Sequence, residues 1–221
     1  MRYLFRLALL AAIAWLGTSF WNARPIRHEP GVLIPMEPMQ QESTPTPLPE
    51  IEGFRLTGVA SYTICARVLG TKRYWDGPPS HLAPVDVALG WGAMSDQSVL
   101  DQLGFSMGNR FFFYRWENAP PIPPDQIMRS AGNNHVISAN ASVKQAIKNL
   151  RKGEVVLLRG MLVDVVGPDG YPWKTSRTRG DTGKGACEIF YVQAVATLPP
   201  DKVADLRARS APVAAVPTII R

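Results

Sequence analysis

Hydrophobic and polar positions divide this chain into one long uncharged run near the start, a stretch with no period, and a series of short apolar segments. From Phe54 to Leu69 the residues are rich in Val, Ile, Tyr and Thr and end at Gly70, which predicts a first strand. A short helix is predicted from Pro84 to Gly90, and another over 96–103, capped by Ser95 and stopped at Gly104. Residues 110–116 are strongly β-prone. Residues 141–152 carry Val143, Ala146, Ile147 and Leu150 on one face, with Asn140 to cap the start and Gly153 to end the helix. Strands are then expected over 154–166 and 187–195, with a turn at 167–170 leading into 171–176. Gly160 inside the longer strand predicts a bulge or bend. A short helix over 201–209 is expected in the tail.

The uncharged run covers residues 7–21 and follows Arg2 and Arg6. Counted from Tyr3 it reaches the length of a membrane helix, with Trp15 and Trp21 suited to the interfacial belt. Small residues for cleavage, Gly17 and Ser19, would put the cut inside the apolar run. An uncleaved anchor is therefore favoured over a cleaved signal peptide, and either one exports the rest of the chain. Residues 22–53 hold seven prolines and no hydrophobic period, which predicts an extended spacer. The expected organisation is an anchor or signal at 1–21, a Pro-rich linker at 22–53, a globular domain at 54–198 and a tail at 199–221.

Charge changes this picture little. The net +6 divides into −1 over residues 1–53, +5 over 54–198 and +2 over the tail, with part of the domain's excess in Lys174, Arg177, Arg179 and Lys184. That is thinner than the stripe a phosphate-tracking protein carries, and export also counts against nucleic acid as a partner. Two cysteines exclude a disulfide-dense scaffold and a four-cysteine zinc site. His28, His81 and His135 stand too far apart for a local histidine metal motif, so neither a metal nor a cofactor is implied.

The candidate chemistry lies late in the chain. Residues 173–188 form a Gly-rich, positive loop in which Arg177, Arg179 and Lys184 could hold an anion with backbone N–H groups, or Asp181 could simply pair with an arginine. His135 and Cys187 could form a thiol–imidazole pair, or His135 could fix an irregular loop while Cys187 lies inert in a strand. Cys65 and Cys187 could instead be bridged, stabilising by ~4–5 kcal/mol in the chain-entropy model, or remain unrelated thiols. Asp76, Asp86, Asp96 and Asp101 fit local backbone partners in turns and caps. Trp75, Trp91, Trp116 and Trp173 fit core or rim packing.

The segments 84–96, 133–140, 153–163 and 179–188 together resemble a group of uncharacterised bacterial proteins that are membrane-anchored or exported single domains. The resemblance covers most of residues 54–198 and implies location rather than chemistry. It draws attention to Trp91, His135, Asp181, Cys187 and Glu188.

The fold class expected is therefore α+β and β-rich, a single small curved sheet or OB-like barrel with a few short helices, preceded by an N-terminal membrane helix. The function expected is an inner-membrane-anchored periplasmic binding or scaffolding module, held in the membrane by residues 3–21. Another envelope protein or an anionic ligand is its partner, with Arg177, Arg179, Lys184 and Trp91 at the contact. The alternatives are an exported hydrolase, using Cys187 with His135 or Asp181 with Glu188, and an OB-like oligonucleotide-binding module.

Overall fold

Strand β2, Arg55–Arg73, is nineteen residues long and organises everything around it. In this computed structural model, which describes Arg6 and residues 24–178, 187–199 and 201–205, β2 pairs antiparallel with three others. These are β1 (Met39–Pro47), β3 (Val85–Gly90) and β7 (Val155–Val166). The remaining strands are the hairpin β4 (Gly104–Gly108) and β5 (Phe111–Arg115), then β6 (Ala131–Ser138), β8 (Pro172–Trp173) and β9 (Glu188–Thr197). The short helices are α1 (Pro78–Leu82), α2 (Gln97–Leu100), α3 (Pro124–Arg129) and α4 (Ala141–Lys148).

The main sheet runs β1-β2-β3-β6-β9-β7-β8, and the second pairing of β2 with β7 joins β2, β3, β6, β9 and β7 into a closed cycle. Neighbours in the cycle are antiparallel except β6 and β9, which run parallel. The result is a β-rich α+β domain on a curved mixed sheet with a few short helices. Curvature of this kind needs places where a strand can bend. One is the register shift at Arg159/Gly160, where a side chain on Gly160 would overlap the Tyr191 carbonyl oxygen.

Apolar residues alternating along the strands fill the inside. Tyr62, Ile64, Val87, Leu89, Leu158, Leu162 and Phe190 form one core cluster, with the Tyr62 and Phe190 rings edge to face at 4.9 Å. Helix α4 adds Val143 and Ile147 to it, and Asn140 accepts from the Val143 N–H at 3.0 Å as its cap. A second cluster around Ile137, Val163, Val165 and Ile189 lies beneath Trp173.

Three sequence expectations change. Residues 84–90 are strand and not helix: all six residues of β3 are buried, and a fully buried run this short has no period that distinguishes the two. The cap at the next helix is Asp96, whose carboxylate accepts from the Ser98 N–H, while Ser95 closes the preceding 3-10 turn. The segment expected as a spacer is also part of the folded unit. Residues 39–47 are the edge strand β1, a place where prolines are tolerated, and Leu33 and Ile34 are buried in the main core cluster. The rest is a strap tied down by backbone bonds from Ile26 N–H to Lys152 O at 2.8 Å and from Gly92 N–H to Ile34 O at 2.7 Å. The membrane segment expected at 1–21 lies, apart from Arg6, outside the described residues, and the tail is described as helix only over 201–205.

Candidate functional site

The domain buries a charge on the outer face of the cycle. Asp86 on β3 is 0% exposed and stands directly opposite His135 in the β3–β6 register. Its Oδ1 accepts from Arg110 Nη1 at 2.9 Å and lies 2.9 Å from His135 Nδ1. Because that oxygen belongs to a carboxylate already taking a guanidinium donor, the proton between it and the imidazole is assigned to Nδ1. Asn133, one pleat repeat before His135 on the same face, reaches Asp86 Oδ2 at 3.5 Å.

Arg110 comes from the turn of the β4–β5 hairpin. Asn109 and Arg110 both have positive φ, 50° and 68°, the geometry of a tight hairpin turn. Asparagine tolerates that region, whereas arginine occupies it at a cost of about 1–2 kcal/mol. The cost is met by the contacts of its side chain. Nη1 also donates to Ala83 O at 2.7 Å, Nη2 donates to Ser80 Oγ at 3.0 Å, and the guanidinium lies 4.0 Å over the Tyr74 ring. Burial, with the Asp86 charge nearby, raises the Tyr74 hydroxyl above the usual tyrosine value. The Arg110 carbonyl accepts from Asn133 Nδ2 at 3.0 Å and from the Cys187 thiol at 3.7 Å.

A cavity of about 720 Å³ opens over this cluster. Residues 167–174, which follow β7, form one wall, where β8 pairs with Val165 and Val166 and so holds Trp173 with its ring centroid 5.0 Å from that of His135. Phe54, Phe111 and Tyr171 supply further aromatic wall, and His135 and Cys187 both line the interior. His135 is 4% exposed, and among the described residues its Nε2 has no protein partner.

The residues singled out by sequence separate into three groups. His135 and Cys187 do share this cavity, but the Cys187 thiol is held by the Arg110 carbonyl and Asn133, and His135 is held by Asp86. Cys65 and Cys187 are not bridged to each other: Cys65 sits on β2 opposite Leu157, and Cys187 immediately precedes β9. Trp91 is 3% exposed in the main core cluster, so no ligand reaches it. Glu188 is buried, stands beside Asn134 in the parallel register and does not line the cavity. Arg177 is on the surface, paired with Glu42 at 3.4 Å and Asp164 at 3.5 Å. Arg179, Asp181 and Lys184 lie outside the described residues.

Sequence reasoning missed the roles of Asp86, Arg110 and Asn133 and the packing of Trp173 against His135. The available signals were a lone carboxylate between Val85 and Val87, and Gly108-Asn109 set between two β-prone runs as a hairpin turn. Comparison with protein-family models, with curated proteins and with solved structures finds no match for this chain.

Proposed function

We propose that the chain is a ligand-binding module of the bacterial envelope, anchored in the inner membrane by residues 3–21 with its domain in the periplasm. In this reading the closed cycle is an OB-like barrel, and the cavity over His135 is its ligand site. The cavity carries the reading: it has the size of a small-molecule site and a mostly apolar wall that includes Phe54, Phe111, Tyr171 and Trp173, with polar groups such as His135 among them. The barrel reading is supported by the five-strand cycle with one parallel pair, and by α4 inserted between its third and fourth strands. OB barrels bind across their second and third strands, beside the connections from strand one to two and from strand four to five. Here those elements are β3, β6 and the β2–β3 and β7–β9 connections; His135 of β6, Pro79 of the first connection and residues 167–174 of the second line the cavity. The anchor is supported by the basic start and the uncharged run at 7–21.

Two experiments test this. Thermal-shift screening of the full-length protein in detergent, against small apolar and amphipathic molecules, should find compounds that raise Tm. Capping Cys187 with a bulky maleimide should abolish those shifts. Shifts that survive capping, or a screen without any, argue against the cavity. Fractionation tests the anchor, and recovery of the full-length protein in the soluble periplasmic fraction ends that part of the reading.

A further inference from the structure

We propose that His135 is the hydrogen-bond acceptor of this cavity, and that the site takes a flat, uncharged, mostly apolar molecule bearing one hydroxyl or N–H group. The inference rests on the cavity being the ligand site and specifies what it selects. Three observations lead to it. First, the imidazole is fixed on one side: Nδ1 faces the fully buried Asp86 at 2.9 Å, so a neutral ring presents its lone pair at Nε2. Nε2 has no protein partner among the described residues, and the ring lines the cavity. Second, the charge beside it is already matched. The Arg110 guanidinium is occupied by Asp86, Ala83 O and Ser80, and at the rim the exposed Lys174 and Asp169 oppose each other in sign. Among the described residues the buried lining therefore offers an anion no free cation, and the one unpaired cation of the lining, Lys174, is exposed. Third, the walls are rings: Phe54, Phe111, Tyr171 and Trp173 present faces and edges suited to another flat ring.

A buried acceptor discriminates by what it leaves unpaired. A ligand with a donor bonds Nε2, whereas the same frame with its donor methylated leaves that nitrogen desolvated and unbonded. The probes are a naphthol and its methyl ether, titrated calorimetrically into the full-length protein in detergent. The naphthol should bind about fivefold tighter than the ether, the span of one net hydrogen bond. In His135→Asn the shorter amide stands where Nδ1 stood and keeps the bond to Asp86, but nothing replaces Nε2. That variant should bind both probes alike.

Equal affinity of the wild type for both probes, or a preference that survives in His135→Asn, overturns the inference and leaves the cavity reading intact. Failure of both probes to bind the wild type overturns it as well, and the maleimide-capping screen then decides separately whether the cavity binds anything. If His135→Asn does not fold, the wild type alone supplies the test. The ¹⁵N resonance of His135 Nε2 should move on adding the naphthol and stay in place on adding the ether, and any other pattern counts against the assignment.

Discussion

Two buried charges show how differently one fold can use the same physical problem. Arg67, on the inner end of β2, is 3% exposed and lies under the N-terminal strap. Its guanidinium donates to Ser95 O at 3.1 Å, to Ile26 O at 3.4 Å and to the Gln97 side-chain carbonyl. Among the described residues no carboxylate touches it directly, and desolvation pushes its pKa down to about 10. Asp86, at the other end of the fold, is equally buried but has a full opposite charge, an imidazole and a roomy aromatic cavity beside it. The first cluster borders a smaller cavity of about 370 Å³, and its guanidinium donors hold the strap to the domain. The second opens onto the larger cavity with a ring nitrogen. Burial of a charge does not mark a site; a fixed group with one face left for a ligand does.

The largest expected effect falls on the ion pair. Asp86→Ala leaves the Arg110 guanidinium, only 20% exposed, without its counter-charge and should cost about 3–5 kcal/mol in urea denaturation. Adding Arg110→Met should restore much of that, since replacing both partners removes the uncompensated charge. Arg67→Met should cost less, about 1–2 kcal/mol, because it strands only carbonyl acceptors. Equal losses for Asp86→Ala and Arg67→Met would remove the distinction between the clusters.

The two thiols sharpen the same contrast. Burial raises the Cys65 thiol from 9.0 to about 11, whereas Cys187 lines the open cavity. Near pH 8 this reduces the reactive thiolate of Cys65 roughly a hundredfold relative to an ordinary thiol. Mass-spectrometric mapping of iodoacetamide adducts should therefore find Cys187 modified first. Preferential labelling of Cys65 would show that the sheet around Cys65 opens more readily than the cavity.

Next in size is the strap itself. Gly153 has φ +92° and a side chain there would overlap the Ile26 carbonyl, so Gly153→Ala should cost about 2 kcal/mol and expose residues 24–34 to limited proteolysis. The smallest effect is a pH dependence at the same place. His28 Nε2 bonds the Gly153 carbonyl at 2.7 Å, and its pKa is lowered, mainly by burial and further by the Arg67 charge, against the raising effect of that bond. A histidine with a depressed folded-state pKa favours folding while neutral. Its contribution is present above the ordinary value of 6.5 and is lost as pH falls below that value. Protection factors at the strap, which divide out the intrinsic pH dependence of exchange, should fall between about pH 7 and pH 5, and His28→Phe should flatten the change. Protection that rises on acidification would reverse the assignment.

Local pattern carried the fold further than it carried the site. The cap at Asn140, the bend at Gly160 and the strands of β2, β5, β7 and β9 follow from short-range rules, because each depends on neighbours within a few residues. β6 was hidden because its outward face carries Asn133 and His135, which read as irregular loop when their partners are unknown. Asp86 was hidden for the same reason. A carboxylate after Pro84 resembles a helix start until Arg110, twenty-four residues away, is seen to reach it. The proline-rich stretch misled in the opposite direction, since prolines fit a free spacer and an edge strand equally well.

By itself the sequence determined that the chain has an uncharged N-terminal run and a β-rich α+β domain whose strands bend. Those properties follow from composition and period, which act along the backbone. The tertiary structure alone decided that residues 24–53 belong to the domain and that His135 answers to Asp86 rather than Cys187. It also decided that the cavity forms where three connections converge. These depend on pairings across 49, 54 and more residues, and on a strand cycle that brings β2 back against β7. Such encounters are fixed by packing in three dimensions and leave no local trace in the order of residues.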